Sequence, residues 1–81
     1  MTRNCILIES LHRSRLMNVD PEQQRINIVN RGVEYYIDYP IREFTDTRDE
    51  KGKVYLIATN DAVEDEDVFN LIDALRPSPI N

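Results

Sequence analysis

Arg25-Ile26-Asn27-Ile28-Val29-Asn30, Arg31-Gly32 and Val33-Glu34-Tyr35-Tyr36-Ile37-Asp38-Tyr39 follow one another without interruption, and their reading decides the fold. Two short segments rich in β-branched and aromatic residues flank a polar turn that ends in glycine, which spells a β-hairpin. A second hairpin follows at once, with Ile41 to Thr47 and Lys53 to Thr59 joined across Arg48 to Gly52. Gly32 and Gly52 are the only glycines in the chain. Each closes a turn where a positive φ costs glycine least. Along Val33, Tyr35, Ile37 and Tyr39 the pattern is apolar, and Glu34, Tyr36 and Asp38 alternate with it. This period of two predicts a sheet with one dry face and one wet, tyrosine-bearing face.

Upstream, Asn4-Cys5-Ile6-Leu7-Ile8-Glu9 is apolar at successive positions and reads as a central strand buried on both faces. The segment Ser10 to Val19 fits either a short helix or a strand. Asp20-Pro21-Glu22-Gln23 favours the strand, because Asp and Pro at the first two turn positions would join Arg13–Val19 to Gln24–Asn30 as an antiparallel pair. Pro40, which lacks an N–H, is expected to end the fourth strand and turn the chain into Ile41–Thr47. Lys53-Val54-Tyr55-Leu56-Ile57-Ala58 is β-prone throughout and belongs inside the sheet or under a helix.

That helix is expected to start from Asp61 as N-cap, with Glu64 completing a capping box, and to pack through Val68, Leu71, Ile72 and Leu75 until Pro77 ends it. The expected architecture is therefore an α+β domain: an antiparallel β-meander sheet of five or six strands with one C-terminal α-helix packed on one face. The same strands curled into a small barrel are the alternative, since a corner at Pro40 is what a curling sheet needs. Residues 1–76 form the single domain, and residues 77–81 a short, frayed C-terminal tail.

A chain of 81 residues buries only about 60–65% of the surface its unfolded form exposes, so its core is small and a deep cofactor cavity is disfavoured. The single cysteine, Cys5, allows no internal disulfide and no cysteine-based zinc site; core packing is its expected role. With no apolar run of about 18 residues, the chain is expected to be cytoplasmic and without membrane contact.

No nucleophile elbow, dinucleotide fingerprint or P-loop is present, and His12, the one histidine, reads as a surface residue on a polar turn. The expectation is a protein that is not an enzyme and holds no cofactor and no metal. Charge is more informative. Residues 1–31 carry five arginines against three acids, a net +2, whereas residues 32–81 carry five basic against twelve acidic side chains, a net −7. The acids concentrate at the second turn, with Asp46, Asp49 and Glu50, and before the helix, with Glu64, Asp65, Glu66 and Asp67.

An acidic, motif-poor α+β domain with an exposed tyrosine is suited to covering a basic surface on another protein, such as a nucleic-acid-binding channel. In general type it is similar to the small acidic inhibitors that bacteriophages make against host defence or nucleic-acid enzymes, a viral anti-defence or host-takeover role. The expected partner-binding residues are Asp46, Asp49, Glu50, Glu64, Asp65, Glu66, Asp67 and Tyr36. A single-stranded nucleic-acid-binding domain using Arg13, Arg15, Arg25 and Arg31 with Tyr35, Tyr36 and Tyr39 is the alternative, as is a structural subunit of a larger complex. Net negative charge argues against tight nucleic-acid binding at physiological salt. A homodimer through Ile41–Thr47 as an edge strand is a further expectation.

Overall fold

The computed structural model describes residues 1–10, 12–29 and 36–81. Its elements are β1 (Arg3–Ser10), β2 (Arg13–Val19), β3 (Arg25–Val29), β4 (Tyr36–Asp46), β5 (Lys53–Thr59) and α1 (Asp65–Leu75). The five strands form a sheet in the order β2-β1-β5-β4-β3. The architecture is α+β with a barrel-like curl, and the sheet is mixed rather than purely antiparallel. Of the segment from Ser10 to Val19, Arg13–Val19 is strand. The turn of the first hairpin, including Arg31, Gly32 and the alternation from Val33 to Tyr35, lies outside the described residues.

The expected meander is corrected at its centre. β1 lies parallel to β5, with Cys5 opposite Leu56 and Ile8 opposite Thr59, while among the described residues β2 pairs only with β1 and β3 only with β4. The turn at Asp20 does form, Gln23 donating its N–H to the Asp20 carbonyl at 3.0 Å. It joins the two edges of the sheet instead of two neighbours. Four strand spacings of about 4.8 Å would separate those edges in a flat sheet. A chain tightened by a turn falls short of that span, so the sheet curls. Val19 and Ile26, from opposite edges, meet in one core.

Curling gives the sheet two apolar faces where one dry face was expected. The concave face gathers Cys5, Leu7, Val19, Ile26, Tyr39, Leu56 and Ala58. The convex face gathers Ile6, Ile8, Phe44, Tyr55 and Ile57 under Val68 and Ile72 of α1. Consecutive residues of β1 and β5 point to opposite faces, which is why both central strands read as unbroken apolar runs. Cys5 is wholly buried, and that burial pushes its thiol up to about 11, in keeping with a packing role.

Pro40 does not end a strand; β4 runs through it from Tyr36 to Asp46. Residues 36–40 pair with β3, and residues 41–46 pair with β5. The Ile41 N–H donates to the Gln24 carbonyl on the β3 side at 2.9 Å, so strand alternation turns the Pro40 nitrogen towards β5. The β4–β5 ladder begins only at Ile41, and the missing donor therefore falls where no bond is due. Past Ile41 the outer side of β4 has no neighbouring strand among the described residues, which leaves residues 42–46 as a bare edge.

The helix also starts later than its capping box implies. Glu64 occupies the N-cap position in extended conformation with no side-chain cap bond, and the Asp61 N–H donates to Thr59 Oγ1 at 3.1 Å. Val63 packs against the convex core, so the chain stays extended until that side chain is placed. Asp65, Glu66 and Asp67 then occupy the first turn, where the helix dipole favours them. Arg76 closes the helix in the left-handed region at φ 51°.

The tail is docked rather than frayed. Pro77 is buried, Ser78 donates its N–H to Asn4 Oδ1 at 2.7 Å, and Ile80 donates to the Val54 carbonyl at 2.8 Å. Val54 precedes the β1 pairing of β5, so the tail supplies the partner that the ladder lacks there. The Ile80 side chain reaches the concave core. Deleting residues 78–81 is predicted to lower the unfolding free energy by roughly 1–3 kcal/mol, from lost hydrogen bonds and apolar cover. Urea denaturation of the full and shortened chains measures it, and equal midpoints would contradict the docked tail.

Candidate functional site

The expected partner-binding residues separate into three places. At the turn between β4 and β5, Asp46 is only 6% exposed and spent on structure. It accepts the Arg48 backbone N–H and Nε through Oδ1, both at 3.0 Å, and Nη2 through Oδ2 at 3.0 Å. The same guanidinium donates to Asp73 of α1 at 2.9 and 3.1 Å and lies 4.4 Å above the Phe69 ring. Phe69 meets Phe44 edge-on at 5.5 Å. Arg48 is thus a two-sided fork that ties the hairpin to the helix. Asp49 shapes the turn, its Oδ1 accepting the Lys51 N–H at 2.8 Å and its Oδ2 lying 3.5 Å from Lys53 Nζ. Only Glu50 of this trio stands exposed and outside the recorded ion pairs.

At the other end of β5, about 20 Å away along a seven-residue strand, lies the second acidic group. Asp61, Glu64, Asp65 and Glu66 are exposed and Asp67 half-buried, and among the described residues none of the five is in an ion pair. Of these, Asp67 lines a cleft of about 210 Å³ between β1 and α1, together with Ile8, Ser10, Val63, Asn70 and Leu71. An apolar floor with a carboxylate at its edge can seat the aliphatic stem and charged head of a lysine or arginine. Sequence reasoning found the acids and missed the cleft, because Ile8 and Ser10 come from the far end of the chain. Tyr36, the third place, is 63% exposed opposite Val29 on the outer strand pair.

Of the arginine–tyrosine constellation, Arg13, Arg15 and Tyr39 line one groove, while the other described members stand apart from it or face acids. Tyr39 is in the core, Arg13 and Arg15 both face Glu9 at 3.2 and 3.7 Å, and Arg25 faces Asp38 at 3.8 Å. Arg31 and Tyr35 lie outside the described residues. Among the described residues no group of three or more His, Cys, Asp or Glu side chains could hold a metal ion. Likewise, no described helix is long and apolar enough to cross a membrane. The chain matches no protein family, no curated protein and no solved structure.

The Arg48 hydrogen bonds, ahead of its charge, hold the carboxyls of Asp46 and Asp73 below their ordinary value of 3.8, and burial opposes this in both. A carboxyl lowered in the folded state contributes stability that is present above 3.8 and lost as pH falls through the folded value. Replacing Arg48→Met is therefore predicted to lower the melting temperature at neutral pH and to flatten the acid limb of the stability profile. Thermal melts from neutral pH down to about pH 2 test this, and parallel acid limbs for the two proteins would contradict it.

Proposed function

We propose that this protein is a non-enzymatic protein-binding module, an inhibitor or regulator that covers a basic surface on its target with the end of the molecule formed by Asp61, Glu64, Asp65, Glu66 and Asp67. The observation that carries this reading is the concentration of five carboxylates at the helix start that have no ion pair among the described residues, one of which, Asp67, lines an apolar cleft, whereas Glu9, Asp38, Asp46, Asp49 and Asp73 are all ion-paired. Acids that only stabilised the helix would need to occupy its first turn alone. Asp61 stands three residues ahead of the Glu64 N-cap, outside the reach of that effect, which favours recognition of an external cation. A basic, nucleic-acid-binding surface has the complementary charge, and the bare edge at residues 42–46 is the seam through which a second copy would pair.

Capture from a lysate on the immobilised protein, followed by affinity measurement with the recovered partner at two salt concentrations, tests the reading. The double variant Glu64→Gln/Glu66→Gln is predicted to bind about tenfold more weakly, with a shallower salt dependence. Glu50→Gln is expected to bind as the parent does. If affinity and salt slope survive neutralisation of the helix end, the acidic-surface reading fails and the exposed Tyr36–Val29 pair becomes the contact to examine.

A further inference from the structure

The curl that brings Val19 and Ile26 into one core at one end of the sheet leaves the other end open among the described residues. There the inner faces of β1 and β2 stand across from those of β3 and β4, enclosing a groove of about 600 Å³ lined chiefly by Glu9, Arg13, Arg15, Ile28, Ile37 and Tyr39. Small-ligand sites fall between about 300 and 1,000 Å³, occur at barrel mouths, and combine apolar walls with a few convergent polar groups. This groove has that composition. Ile28 and Ile37 are opposed on neighbouring strands and form an apolar wall that runs into the Tyr39 ring.

The opposite wall is cationic. Among the described residues Glu9 is the one acid lining the groove, and both of its oxygens are engaged, Oε2 by Arg13 Nε at 3.2 Å and Oε1 by Arg15 at 3.7 Å. Two guanidiniums, each with five donors, thus share a single carboxylate. Burial, and after it Glu9 and Asp61, push the Tyr39 hydroxyl above its ordinary value of 10.0, with Arg13 opposing. It remains an O–H donor. Among the described lining residues the surplus is one positive charge, and Glu9 with Asp61 nearby disfavours a dianion.

We propose that the groove binds a small amphipathic monocarboxylate, its head group on Arg13 and Arg15 and its apolar body along Ile28, Ile37 and Tyr39. The groove lies on the concave side of the sheet, across from the cleft under α1, and its test does not depend on the protein partner. Titrating the isotopically labelled full chain with decanoate, followed by amide NMR shifts, tests the proposal, with decanol and decyltrimethylammonium as comparison probes. Saturable shifts are expected at Arg13, Arg15, Ile28, Ile37 and Tyr39, with decanoate binding at least about tenfold tighter than either comparison probe. Arg13→Gln/Arg15→Gln, at two exposed positions where the fold is expected to persist, should lose about tenfold for decanoate and little for decanol. Absence of saturable shifts up to about 10 mM, equal binding of the cationic probe, or undiminished decanoate binding by the double variant would each overturn it.

Discussion

Parallel pairing of the first and last strands is the constraint on which the rest of this structure depends. Once β1 lies beside β5, with Ile6 opposite Ile57, the intervening strands must divide, β2 to the outside of β1 and β4 with β3 to the outside of β5. The short connection at residues 20–24 then has to span from one edge to the other, and it does so only if the sheet curls. Curling makes a second core from the concave face, and with it a closed end at Val19 and Ile26 and an open one at Glu9, Arg13 and Ile28. A single pairing choice therefore produces the double core and the groove.

The convex side obeys a different logic. α1 covers Ile6, Ile8 and Ile57 through Val68 and Ile72, and Arg48 clamps its second half by gripping Asp46 and Asp73 together over Phe69. This clamp engages Asp46 and Asp73 at the hairpin end, while the five acids at the helix start have no ion pair among the described residues. The sign difference between the two halves of the sequence thus survives folding in a reorganised form. Both candidate surfaces lie at the open end of the sheet, cationic on the concave side and acidic on the helix side, with Ser10 lining a cavity on each.

Much of this was legible in the residues. Asn4–Glu9 and Lys53–Ala58 announced themselves as central strands by being apolar at consecutive positions, and the turns at Asp20 and Gly52 were readable from their chemistry. Strand order was not, because a local turn signal says that two strands are close at one end and nothing about whether their edges pair. The helix start was misplaced because Asp61 and Glu64 have the right spacing for a capping box, while the pull of Val63 into the core is a tertiary effect. Asp46 looked like a solvated tip residue, and only the return of Asp73 and Phe69 from the helix reveals it as half of a buried clamp. The tail carried no periodic signal at all, and its order comes from groups on Asn4, Gly52 and Val54 that lie far away in sequence.

Interstrand nuclear Overhauser effects between backbone protons test the central pairing most directly. The account predicts the parallel pattern linking Cys5–Ile8 to Leu56–Thr59, together with side-chain contacts between Val19 and Ile26 but no backbone ladder between β2 and β3. An antiparallel ladder joining Arg13–Val19 to Arg25–Val29, with no β1–β5 contacts, would restore the simple meander and contradict the curl and the groove that follows from it.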